Sequence, residues 1–72
     1  MLRQSVSSSN LRSVGYDPAN GVLEVEFKSG AVYQYSGVPE GIHSALISAG
    51  SKGQYLHRAV IGTFPCQRIS RL

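Results

Sequence analysis

Residues 22–36, VLEVEFKSGAVYQYS, restrict this chain more than any other stretch: two runs of period two flank a glycine turn. That period sends alternate side chains to opposite faces of a strand. Leu23, Val25 and Phe27 then share an apolar face, with Val22, Glu24 and Glu26 on the other. The loop decides what faces them. A two-residue turn at Ser29-Gly30 pairs Phe27 with Val32 and sets Tyr33 and Tyr35 beside Glu24 and Glu26. A three-residue loop, Lys28-Ser29-Gly30 with Gly30 left-handed, pairs Val25 with Tyr33 and Leu23 with Tyr35 instead. Ser-Gly lacks the Asn or Asp that a tight primed turn prefers at its first position, whereas a type I turn closed by glycine accepts Lys-Ser-Gly. The three-residue loop is therefore expected, and with it two core tyrosines rather than a base-stacking platform.

The flanking segments extend the pattern. Residues 11–16, LRSVGY, predict a strand weakened by Gly15, and a loop over 18–21 sets Tyr16 opposite Leu23 and Val14 opposite Val25. The opposite face gathers Leu11, Ser13 and Gly15 from this strand with Val22, Glu24 and Glu26 from the next. Val32, Gln34 and Ser36 complete it, polar and slightly acidic. After Val38, Pro39 suits a first helical turn, and Ile42, Ala45, Leu46 and Ala49 form one apolar stripe with His43 on the exposed side. Gly50 is a natural stop and Ser51 a natural cap for a second helix, about 52–60, whose inner side is Leu56, Ala59 and Val60. IGTFP, 61–65, reads as a short extended segment. These elements predict an α+β domain: a three-stranded antiparallel meander with two short helices packed on one face. Its expected core is Tyr33, Tyr35, Val25, Phe27, Leu46 and Leu56. The serine-rich residues 1–8 read as a flexible N-terminus, 9–65 as one domain and 66–72 as a short basic tail.

At 72 residues the core of such a domain is only marginally sufficient, and a homo-oligomer that hides Leu11, Val22 and Val32 is expected. Charged residues are 15% of the chain and the net charge is +3, compatible with a phosphate-bearing partner. Cys66 stands alone, so no internal disulfide closes, which suits a reducing, cytoplasmic setting. No apolar run is long enough for a membrane span, and the N-terminal residues carry no signal-peptide pattern.

GSKGQYLHR, residues 50–58, is the best candidate site. A helix capped by Ser51 offers backbone amides at Lys52, Gly53 and Gln54 to an anion, Gly53 permits close approach, and Lys52 and Arg58 add charge. Plain capping between two helices, with the lysine solvated, accounts for the same residues. The spacing is not that of a phosphate-binding Walker loop. His57 and Cys66 have no third orienting group for a thiolate–imidazole pair, and His43, His57 and Cys66 form no zinc pattern. Glu24 and Glu26 read as solvated strand surface rather than a general acid/base pair. No catalytic residue, metal or cofactor is expected.

SSN at 8–10, GYDP at 15–18, LEVEF at 23–27, YQY at 33–35, VP at 38–39 and SKGQY at 51–55 together resemble the KTSC domain. That family is named for a C-terminal extension of some lysyl-tRNA synthetases and also occurs as stand-alone bacterial and phage proteins. The resemblance spans about residues 7 to 65 and implies the fold; through the synthetase fusion it implies RNA as a ligand. The expected function is thus a non-catalytic binding module for a phosphate-bearing ligand, foremost RNA, with Asn10, Ser51, Lys52, Gly53, Tyr55 and Arg58 as ligand-binding residues. Lys52, Arg58, Arg68 and Arg71 concentrate positive charge in the C-terminal third. Two alternatives stand beside it: an oligomeric phage-type protein that sequesters a nucleotide second messenger, and a protein–protein interaction module.

Overall fold

A computed structural model describes residues 2–69. Its strands are β1 (Arg3–Ser5), β2 (Leu11–Asp17), β3 (Val22–Phe27) and β4 (Val32–Tyr35). Two helices follow, α1 (Glu40–Ser48) and α2 (Lys52–Ala59), and then β5 (Cys66–Arg68). The strands form one antiparallel sheet in the order β1-β2-β3-β4-β5.

The central hairpin has the expected register, with Val25 opposite Tyr33 and Leu23 opposite Tyr35. The Gly30 amide donates to the Phe27 carbonyl at 2.9 Å and the Phe27 amide donates to the Ala31 carbonyl at 2.9 Å, closing a loop over 28–30. Gly30 has φ 98°, a region that side chains avoid, so glycine is required there. Tyr35 is buried, while Tyr33 is partly buried and meets Phe27 edge-to-face at 5.8 Å. Burial pushes the Tyr35 phenol above its ordinary pKa, with Cys66 and Tyr33 adding smaller contributions in the same direction. The first hairpin also agrees: Tyr16 faces Leu23 and Val14 faces Val25.

Both chain ends depart from expectation. Within the segment expected as a flexible N-terminus, Arg3, Gln4 and Ser5 instead form a strand, pairing with Gly15, Val14 and Ser13. Within the segment expected as a tail, Cys66, Gln67 and Arg68 instead form a strand, pairing with Tyr35, Gln34 and Tyr33. The meander of three strands is therefore a sheet of five. An edge strand of three exposed residues needs no apolar pattern; it only satisfies the open backbone groups of its neighbour. Arg71 lies outside the described residues.

Leu11 is the clearest correction. Expected on the open face, it is fully buried in the core. The register shifts between Leu11, opposite Phe27, and Ser13, opposite Glu26, leaving Arg12 as the extra residue of a β-bulge. An inserted residue reverses the alternation, so Leu11 turns to the apolar side. The patch proposed to drive self-association thus loses its largest member, and Val22 and Val32 are partly buried.

The helices cover the apolar face. Leu46 from α1, Leu56 from α2 and Val60 at the C-terminal cap of α2 join Leu11, Val14, Leu23, Val25, Tyr35 and Val38 in one core. Pro39 is the residue preceding α1, with extended ψ 155°, rather than part of its first turn. The inner side of α1 is Ile42, Leu46 and Ile47, while Ala45 is exposed. His43, expected outside, stacks on the Tyr16 ring at 4.8 Å, and the Tyr16 hydroxyl donates to the Val38 carbonyl. Residues 61–64 are a turn rather than an extended run: the Thr63 and Phe64 amides both donate to the Val60 carbonyl.

Candidate functional site

The sheet faces present opposite chemistry. On the side away from the helices, one register row runs Arg3, Gly15, Glu24, Gln34, Gln67. The Arg3 guanidinium reaches across Gly15 to Glu24, Nη1 to Oε2 3.2 Å, and lies 3.9 Å from Glu26. Gly15, which weakens a strand by propensity, leaves room for this crossing. The Gln34 amide donates to Glu24 at 2.8 Å, and the Ser13 hydroxyl donates to Glu26 at 2.9 Å. Glu24 is only 8% exposed, so the solvated carboxylate expected there is a paired and largely covered one. A buried carboxylate is tolerated because a cation and an amide both satisfy it. No aromatic ring stands in this row, whose side chains form a polar network.

The helix junction is different. Helix α1 ends at Ser48, and α2 starts after Ser51, whose hydroxyl accepts the Gln54 amide at 3.4 Å. The expected cap is present. Between the helices lies an open groove of 310 Å³, lined by Ala45, Ala49, Gly50, Ser51, Gln54, Tyr55 and Arg58. The Arg58 guanidinium carbon lies 5.7 Å from the Tyr55 ring centroid, so the charge is held against the aromatic ring.

The expected site residues divide into two sets. Ser51, Tyr55 and Arg58 line the groove. Lys52, expected in solvent, is partly buried and donates from Nζ to the Ala49 carbonyl at 3.2 Å, neutralising an end of α1. Gly53 faces Asn10: a Cβ there would stand 3.3 Å from the Asn10 side-chain nitrogen. Its lack of a side chain serves close packing between α2 and the loop before β2. Gln54 and Ala45 also line the groove. Gln54 was legible, because Ser51-x-x-Gln54 has capping-box spacing. Ala45 was not, since periodicity alone placed it in the apolar stripe.

Nothing in the lining is a carboxylate, imidazole or thiol, so the groove offers donors and charge but no titrating base near neutrality. His57 is exposed on α2 and Cys66 is exposed on β5. Among the described residues, no three His, Cys, Asp or Glu side chains converge to hold a metal ion. Among the same residues, no helix is long and apolar enough to cross a membrane.

Comparison with known proteins adds relatives across nearly the whole chain. The model of the KTSC domain matches residues 7–64. An uncharacterized protein of Stutzerimonas stutzeri is 48% identical over 58 residues, covering 81% of this chain and 82% of its own. A lysine–tRNA ligase of Nostoc is 37% identical over 62 residues, 86% of this chain but only 11% of the ligase. The crystal structure of a KTSC domain protein from Yersinia pestis superposes with a TM-score of 0.93 at 46% identity, covering 96% of this chain and 97% of that one.

Proposed function

This chain belongs to the KTSC domain family, and from that premise we propose that it is a non-catalytic binding module for a phosphate-bearing ligand, with RNA as that ligand. The observation that carries the reading is the groove at the helix junction, where Ser51, Gln54, Tyr55 and Arg58 converge without a catalytic group. A guanidinium and neutral donors suit a phosphate oxygen, and the Tyr55 ring suits a nucleobase. That a similar segment forms a small part of lysine–tRNA ligases supports RNA over other phosphate esters. An RNA ligand sets the work in the cytoplasm.

The groove volume of 310 Å³ lies at the lower end for small-molecule sites and favours a soluble nucleotide as the second reading. One experiment separates the two. The purified protein is titrated with labelled single-stranded RNA and, separately, with mono- and cyclic dinucleotides. RNA binding that weakens about tenfold in Arg58→Glu at unchanged melting temperature is the expected result, the loss of one charged hydrogen bond. Tight binding of a nucleotide without RNA binding supports the second reading. RNA affinity untouched by the charge reversal would move the site elsewhere.

A further inference from the structure

The acids of this molecule fall in two places. Asp17 closes the β2–β3 turn, where the Gly21 amide donates to its carbonyl, and the Val38 amide donates to Gly21. That sets Asp17 near the start of α1, which carries Glu40 in its first turn. Glu24 and Glu26 are engaged by Arg3 on the outer face. Those residues are all four acids of the chain.

Four cations lie along a different path, connected contact by contact. Arg58 lines the groove, and Lys52 bonds to Ala49, which lines it too. Beside Lys52, Gly53 packs on Asn10. The Asn10 carbonyl accepts the Lys28 amide at 2.8 Å, and the Lys28 carbonyl accepts the Arg12 guanidinium at 3.2 Å. Arg12, Lys28 and Arg58 are exposed. Among the described residues, none of these four forms an ion pair with a carboxylate. The bulge that buries Leu11 also leaves Arg12 as the extra residue beside Lys28.

We infer that Arg58, Lys52, Lys28 and Arg12 form one cationic track, running from the groove past Asn10 to the β3–β4 loop, that holds the sugar–phosphate backbone of a single RNA strand over several nucleotides. The inference rests on the phosphate-binding reading of the groove and adds what that reading lacks, the length of the ligand and its course. A lone nucleotide would use Arg58 and leave Lys28 and Arg12 without a role. A strand gives each cation a phosphate. Tyr55 at one end favours an unstacked base, and so a single strand over a duplex.

The test is an anisotropy titration of a labelled ten-nucleotide oligouridylate across a salt series, with uridine monophosphate titrated in parallel. One phosphate per cation predicts a slope of log affinity against log salt of about −2.8. Arg12→Gln with Lys28→Gln should shallow that slope by about 1.4 and weaken the decamer at least about tenfold, leaving the mononucleotide unchanged. Lys28→Gln alone, which keeps the backbone contacts of its loop, should give about half the change in slope. Decamer binding unaltered in both variants overturns the track while leaving the groove reading intact. A decamer bound no more tightly than the mononucleotide does the same, and a duplex bound equally well overturns the single-strand assignment. Failure of both ligands to bind overturns the groove reading and the track together.

Discussion

The two faces of the sheet solve the same problem by different physics. Under the helices, Leu11, Val14, Leu23, Val25 and Tyr35 meet Leu46, Leu56 and Val60, and stability comes from apolar area removed from water. On the other side, Glu24 is nearly as covered, yet what covers it is Arg3 and Gln34. Burial alone therefore does not distinguish a core face from an open one. The difference is directional: apolar contacts tolerate small shifts, whereas the polar row works only if β1 holds its register and Gly15 leaves the crossing open. A sheet edge that looks dispensable is what neutralises the carboxylates in its middle.

The comparison breaks most visibly on the apolar side. Tyr35→Ala should cost about 3–5 kcal/mol, read as a lowered urea midpoint, whereas Tyr33→Ala, only partly buried, should cost about half as much. Equal losses would mean that the sheet packs on the helices differently from the structure.

A smaller effect tests the polar row. Glu24→Ala leaves Arg3 and Gln34 without their acceptor and should cost about 2 kcal/mol. In an Arg3→Ala background the same change should cost about 1 kcal/mol less, a coupling that a double-mutant cycle measures directly. Additive losses would show that β1 contributes no clamp. Gly15→Val should mimic the loss of Arg3, because a side chain would stand where the guanidinium passes.

The smallest effect lies at the β2–β3 turn. The Asn20 side-chain amide holds the Asp17 carboxyl below its ordinary pKa against an opposing desolvation, aided by the Ala19 and Asn20 backbone amides. Because the folded value is depressed, its stabilisation is present at neutral pH and is lost as pH falls below about 4, through the folded value. Asp17→Ala should therefore lower the melting temperature slightly at pH 7, by a difference that shrinks as pH falls below about 4. A difference that persists at the lower pH would assign the effect to the turn backbone instead.

Much of this arrangement was legible in the residues because its causes are local. The alternation from Leu23 to Phe27 determines a half-buried strand, Lys28-Ser29-Gly30 determines the loop, and the loop determines that Tyr33 and Tyr35 face Val25 and Leu23. Ser51 declares a helix start for the same reason: one side chain satisfies one nearby amide. Tertiary structure alone decided the rest. The bulge at Arg12 reverses the side Leu11 takes, and no periodicity announces an inserted residue. The strands β1 and β5 exist because β2 and β4 present open backbone groups, while their own sequences could equally serve as coil. Lys52 turns back to Ala49, three residues earlier across the helix junction, and Gly53 receives Asn10 through a contact between segments distant in the chain. Side-chain period and turn chemistry are encoded within a few residues; register offsets and edge pairing depend on what the rest of the chain places beside them.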